Sequence, residues 1–243
     1  MTRLDQALAE AGLAESRNQA QALILAGRVR VAGETVRQPD RRVAVDQPLE
    51  VVEPPPYVSR GGFKLAGALD AFGVSPQSRV CADIGASTGG FTDVLLQRGA
   101  LRVYAVDVGR GLMHWKLRQD PRVVLQERVN ARNLEPFPEP VTLVVVDVSF
   151  IGLDKVLPAV VAAAPDADLV VLFKPQFEVG RSEVGKGGVV RDEAAIAAAA
   201  ERFRGWCAAH ALEVVAEAPS ALPGTEGNRE IFFHLVRRRE VDA

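Results

Sequence analysis

Hydrophobic and polar positions change their rhythm once along this chain, at the EPPPY stretch from Glu53 to Tyr57. Before it, Leu4, Leu8 and Leu13 recur at helical spacing. A second helical run, with Ser16 as a plausible N-cap, carries Ala20, Leu23 and Ile24 inward and stops near Gly27. RVRVAG, from Arg28, then alternates charged and branched residues as a half-buried strand does, and Ala32-Gly33 turns it into Glu34-Thr35-Val36. Two short helices on a small hairpin sheet are the expectation. After EPPPY, apolar runs at 79–84, 102–107, 123–126, 143–147, 169–173, 213–218 and 231–236 read as strands, with helical patterns between most of them. Such alternation implies a mostly parallel sheet covered by helices on both faces. The expected class is thus α/β, a Rossmann-like sheet preceded by a small α+β module. The expected divisions are 1–53, a stiff proline linker at 54–60, and 61–243.

Composition narrows the function less than the pattern does. With 29 basic and 31 acidic residues the charge is balanced, so any nucleic-acid face must arise by local segregation. Cys81 and Cys207 sit in apolar patterns and read as buried thiols, and His114, His210 and His234 form no ligand spacing, so no metal is expected. No leader segment is apparent, and the long apolar run from Val156 to Phe173 is interrupted by Pro158, Pro165, Asp166 and Asp168. A soluble cytoplasmic monomer is expected.

The small module resembles the S4 RNA-binding domain, through Arg3-Leu4-Asp5, Gly12-Leu13, Ser16-Arg17, Ala20, Ile24, Gly27, Val29, Val31 and Gly33. The resemblance implies that Arg3, Arg17, Arg28 and Arg30 face structured RNA.

Candidate chemistry begins at DIGASTGGF, from Asp83 to Phe91, a glycine-rich turn between a strand and a helix. Ligands of such folds sit at the carboxyl ends of the strands. The spacing is not the G-x-G-x-x-G of dinucleotide sites, and the carboxylate of Asp83 would repel a pyrophosphate while suiting a ligand with ammonium and sulfonium charges. S-adenosylmethionine fits that description, against a nucleotide or a purely structural turn. Gly85, Ser87, Gly89 and Gly90 line the turn. Asp107 ends the next strand, placed for ribose hydroxyls, and Asn130 follows the third, placed for an adenine edge. Phe91 opens the helix as core residue or ligand contact, and Trp115 reads as helix-face core.

Four polar residues stand at pointed places: Lys64 in a helix before the first strand, Asp147 and Lys174 closing apolar strands, and Glu230 opening the last one. The chain here is similar to the TlyA family, with a second half like FtsJ-type ribose methyltransferases. The likeness is carried by SRGGFKL, DIGASTGGFTDVLLQRGA, WKLRQDPRV, NARNL, DVSFIGL, FKPQFEVG, GKGGVVRD and GTEGNRE. It implies a Lys-Asp-Lys-Glu tetrad at Lys64, Asp147, Lys174 and Glu230, and 2′-O-methylation of a cytidine in ribosomal RNA, small-subunit, large-subunit or both. Leu112 stands where the family usually has glutamine.

A ribose hydroxyl is a very weak acid, and a lysine beside a second cation and partly buried is biased toward the amine that could deprotonate it. Lys174 is therefore expected as base and Lys64 as holder of the ribose oxygen, with Asp147 and Glu230 orienting the two. Arg60 and the glycine-rich loop holding Arg181, Lys186 and Arg191 complete an RNA-facing set. Competing readings are a non-catalytic ribosome-assembly factor, a pseudouridine synthase and a pore-forming haemolysin. The last has no membrane-spanning or lytic amphipathic segment behind it.

Overall fold

The computed structural model describes residues 1–53 and 55–238; the Arg181 side chain is outside that description. The chain divides into two units, Met1–Pro56 and Tyr57–Ala243.

In the first, β1 (Thr2–Arg3) leads into α1 (Leu4–Glu10), followed by α2 (Arg17–Leu25), β2 (Val29–Val31), β3 (Glu34–Val36), β4 (Arg42–Val43) and β5 (Leu49–Val51). The Ser16 hydroxyl accepts the Gln19 amide and caps α2, meeting one of the orphan N–H groups of a helix start. The hairpin of β2 and β3 gains β5 on its other side, giving the order β3-β2-β5, while β1 pairs with β4. Leu4, Leu8, Ala20, Ile24, Val29, Val31, Val36 and Val43 form the core. Leu13 does not join them: it is 39% exposed, and Ala14 is buried instead. The helix ends at Glu10, so helical spacing no longer holds at position 13.

The second unit runs α3 (Arg60–Phe72), β6 (Val80–Ile84), α4 (Gly90–Gln97), β7 (Arg102–Asp107), α5 (Trp115–Arg118), β8 (Val123–Glu127), β9 (Leu143–Val146), α6 (Leu157–Ala163), β10 (Asp168–Phe173), α7 (Pro175–Glu178), α8 (Glu193–Ala209), β11 (Leu212–Pro219) and β12 (Ile231–Arg237). Its seven strands take the order β11-β12-β10-β9-β6-β7-β8. The five from β8 to β10 are parallel, and β12 is antiparallel to both its neighbours.

The period of two along a strand divides the core between the two faces. Leu143 and Val145 pack toward α3 and α4 with Leu65, Leu69, Val94 and Leu95. Val144 and Val146 pack toward α6 and α8 with Leu157, Val160, Ala199 and Phe203. β6 lies between β7 and β9, so the chain reverses its winding there, and a crevice opens beyond the carboxyl ends of β6 and β9.

Candidate active site

Strand register brings the four polar residues to that crevice. Ile84 of β6 pairs with Val146 of β9, so Gly85 and Asp147 come next to each other as the strands end. Phe173 of β10 pairs with Ile231 of β12, so Lys174 and Glu230 stand one step beyond the last pair, from strands running in opposite directions. Pro175 opens α7 immediately after Lys174, which turns the chain sharply there. Lys64 lies on the buried side of α3 among Gly62, Leu65, Ala66 and Ala68.

The tetrad forms two ion pairs. Lys64 Nζ lies 2.5 Å from Glu230 Oε2, with side chains 11% and 3% exposed. Lys174 Nζ lies 2.5 Å from Asp147 Oδ1 and also donates to the Ser149 hydroxyl at 2.9 Å. Burial raises the Glu230 carboxyl above its ordinary range, the hydrogen bond and charge of Lys64 opposing the shift. All four residues line one cavity of about 680 Å³, together with Ser59, Arg60, Gly90, Phe91, Phe150 and Gln176.

A second cavity of about 730 Å³ opens beside it, walled by Val106, Asp107, Val108, Leu112, Val129, Asn130 and Ile151. The two share Gly85, Ser87, Asp147, Ser149 and Phe150. Gly85 is required at this junction: its φ is +88°, and a Cβ would strike the backbone carbonyl of Asp147. Gly90 is required by a close approach, since a Cβ there would meet Ser59 and the backbone of Gly61 and Gly62.

The turn's own amides bear on what the second cavity can hold. Gly85 and Ala86 N–H both donate to the Val106 carbonyl, Gly89 N–H to that of Ala86, and Ser87 N–H to Asp107 Oδ2 at 2.7 Å. These are donors a pyrophosphate would need, and each already has an acceptor. Asp107 also accepts Gly109 N–H through Oδ1 at 2.6 Å, yet each carboxylate oxygen retains a lone pair. A cavity with apolar walls and carboxylates at Asp107 and Asp147 fits a cationic nucleoside better than a dinucleotide.

Asp83 departs from the expectation. Its carboxylate meets neither cavity but is fully buried beneath the turn, accepting the Thr92 hydroxyl at 2.6 Å, while Oδ1 has no hydrogen-bond partner. Burial pushes it up to about 7, the Thr92 bond opposing and the charges of Asp147 and Asp107 adding to the rise. Its side chain therefore braces the start of α4. Gly89 is likewise structural, its φ of +92° making the N-cap of α4 and its Cα lying against Leu117. Gly90 and Phe91 are on the tetrad cavity's wall, not the second one's, and Phe91 also packs on Phe232. Asn130 lines the second cavity, its Oδ1 accepting the Arg132 amide. Trp115, read as core, is 71% exposed, because α5 is a single short turn that buries only Leu117.

Of the RNA-facing set, Arg3 and Arg17 converge on buried Asp5 at 3.1 and 3.0 Å, where Gln21 adds a third donor at 2.7 Å. These bonds, Arg3's foremost, hold the Asp5 carboxyl well below its ordinary range against the cost of burial. Arg28 bonds the Val52 carbonyl and Glu53, and Arg30 lies 3.9 Å from Glu50. Arg60 donates to the Pro223 carbonyl on the tetrad cavity's rim. Lys186 is exposed; the side chain of Arg181 lies outside the described ones.

Some participants lie in the blocks that carry the family likeness but were not singled out individually. Phe150 has φ +65° and is 91% exposed where the two cavities join, its ring tilted 53° against that of Phe177 with centroids 5.2 Å apart. A bulky side chain at positive φ is a strained arrangement that tends to mark functional sites. Glu178 accepts the Leu153 amide at 2.9 Å and so ties the segment after Asp147 to α7; burial pushes its carboxyl up to about 7. Among the described residues no group of three or more His, Cys, Asp or Glu side chains could hold a metal ion, and no helix is long and apolar enough to cross a membrane.

Known proteins bear on this geometry. A family model described as FtsJ-like methyltransferase matches residues 57–237, and one described as S4 domain matches residues 2–48. The Mycobacterium tuberculosis protein named 16S/23S rRNA (cytidine-2′-O)-methyltransferase TlyA is 50% identical over 244 residues, covering 96% of this chain and 89% of its own. A solved structure from Streptococcus thermophilus that bears a haemolysin name is 40% identical, with TM-score 0.75 over 98% of this chain and 88% of that one. A structure from Listeria monocytogenes, named for S-adenosylmethionine-dependent methylation, shares 10% identity at TM-score 0.53 over 72% of this chain and all of its own, a likeness of fold alone. The chain belongs to the FtsJ-like methyltransferases, within the TlyA family, and carries an S4 domain ahead of that fold.

Proposed function

We propose that this protein transfers a methyl group from S-adenosylmethionine to the ribose 2′-hydroxyl of a cytidine in ribosomal RNA, working in the cytoplasm. One observation carries the reading: two cavities of nucleoside size meet along a wall at Gly85, Asp147 and Phe150, and Lys64, Lys174 and Glu230 line only one of them. Donor and acceptor can then lie on either side of Asp147.

S-adenosylmethionine, when bound, supplies an electrophilic methyl group and leaves as a neutral thioether. Asp107 and Asn130 would hold its nucleoside end, with Gly85 and Ser87 beneath it. On the other side, Lys174 takes the hydroxyl proton as the oxygen–carbon bond forms. Ser149 accepts one hydrogen bond from Nζ and the charge of Asp147 holds the group from 2.5 Å, which leaves Nζ a direction for the ribose. Lys64, fixed by Glu230, offers a cation to the oxygen as negative charge builds on it. Phe150 presents a ring on which the target base can stack once out of its helix. The chemistry then rests mainly on positioning. Arg3, Arg17, Arg28 and Arg30 would dock RNA, the first two pre-oriented by Asp5 yet keeping N–H donors for phosphate.

The test is incubation with labelled S-adenosylmethionine and ribosomal subunits, followed by alkaline hydrolysis. A methylated 2′-oxygen blocks cleavage and leaves the label in a resistant dinucleotide, and primer extension at limiting nucleotide locates it. Label released in mononucleotides would mean base methylation and defeat the proposal.

A further inference from the structure

The segment from Val184 to Val190, part of the glycine-rich loop expected to face RNA, is fastened to the protein by one buried side chain. Asn228 is 1% exposed. Its Oδ1 accepts the Val190 amide at 2.9 Å and its Nδ2 donates to the Gly188 carbonyl at 2.8 Å. Both partners are backbone groups of opposite character, so only one orientation of the amide satisfies them. No other side-chain bond holds Gly185 to Val190 among the described residues; Gly185 and Val189 close the segment only on itself.

Asn228 also belongs to the turn that delivers Glu230. Its carbonyl accepts Gly224 N–H at 2.9 Å, and Gly224 packs against the Glu230 carboxylate, where a Cβ would come within 2.7 Å of Oε1. The strap's Val184, Gly187 and Gly188, like Thr225 and Glu226 of the turn, line the tetrad cavity and are absent from the second cavity's wall.

We propose that Asn228 is a positioning residue for the RNA substrate: it latches the glycine strap and the Glu230 turn together as one wall of the acceptor side, without bearing on the methyl donor. The inference rests on the ribose-methylation reading for its direction. It predicts a split between substrates that a merely structural residue would not produce.

The experiment compares wild type, Asn228→Ala and Asn228→Asp in the full chain. Measurements are amide exchange at Val190 and Gly188, S-adenosylmethionine affinity, RNA affinity, and kcat and KM for ribosomal RNA. Asn228→Ala should lose Val190 protection, keep donor affinity, and drop kcat/KM for RNA by about ten- to a hundredfold. Asn228→Asp keeps the acceptor for Val190 but faces the Gly188 carbonyl with another acceptor. It should retain Val190 protection and fall between the other two, and it carries the test should the alanine variant not fold. Val190 protection lost with kcat/KM unchanged would overturn the latch, and so would equal loss of donor and RNA parameters. A wild-type chain inert on every ribosomal RNA would overturn the methylation reading instead, and the latch would then stand or fall on RNA affinity alone.

Discussion

The buried pair of Lys64 and Glu230 sets stability against activity in a way one double-mutant cycle can measure. Replacing Glu230 by Leu strands an ammonium group whose side chain is only 11% exposed, and Lys64→Met strands a carboxylate that is 3% exposed. Breaking a buried pair from one side costs about 3–5 kcal/mol, and a domain of this size loses about 2–4 °C of Tm per kcal/mol, so each single variant should melt about 6–20 °C lower. Removing both charges is different. Apolar replacement of a whole buried pair is often neutral or stabilising, so Lys64→Met/Glu230→Leu should recover to within about 1 kcal/mol of wild type. That burial raises Glu230 even beside Lys64 is the structural sign that desolvation weighs heavily in this pair. Transfer to RNA should be absent in all three variants. Thermal unfolding near neutral pH, alongside the labelled-methyl assay, gives both columns of the cycle. A double variant no more stable than the worse single one would show that the pair is not desolvated. A double variant that still methylates would remove it from the machinery.

Other outcomes follow from neighbouring groups. Lys174→Ala should lower kcat by at least about a hundredfold while the methyl donor still raises Tm, as a general base demands; undiminished kcat would dismiss Lys174 from that role. For Asp83, raised to about 7 by burial, the folded state holds a proton that the unfolded chain gives up near pH 4. Its contribution to stability is therefore intact in acid and falls as pH rises through about 4 to about 7, and Asp83→Asn should flatten that slope in chemical denaturation; an unaltered slope would count against the assignment. Glu178 adds a slope of the same sign. Asp5 has the opposite one, its lowered pKa giving stability above the ordinary carboxylate range that is lost as pH falls below it. Asp5→Ala should release Arg3 and Arg17 and weaken RNA binding with little change in donor affinity, and titrations showing both affinities unchanged would exclude that coupling.

The architecture was legible because β6, β7, β9 and β10 are apolar runs closed by a glycine or a charged residue, and two of those ends, after β9 and β10, carry Asp147 and Lys174. Lys64 was singled out only as a polar residue in a helix before β6, and the glycine turn pointed to a ligand. The errors have a common origin. Asp83, Gly89 and Trp115 were assigned by their place in a motif, whereas their exposure depends on which neighbours cover them: Thr92 and α4 cover Asp83, Leu117 covers Gly89, and nothing covers Trp115 on a single-turn helix. Ser149, Phe150, Glu178 and Asn228 stand inside blocks that carried the family likeness, yet their individual roles were not legible, since these arise from contacts across 25 to 40 positions. A pattern read along the chain has no access to such pairings.

The reversed direction of β12 has a consequence for biosynthesis. Because that strand runs against β10, it presents its beginning at the crevice, and Glu230 closes on Lys64 across 166 positions. A nascent chain emerging from the ribosome can build the glycine turn and β6 to β10, yet Lys64 holds an unmatched ammonium until Glu230 arrives. Premature stop codons or proteolytic nicks ahead of position 230 should thus yield inert fragments rather than sluggish enzymes, a built-in guard against half-made modifiers acting on the machine that makes them.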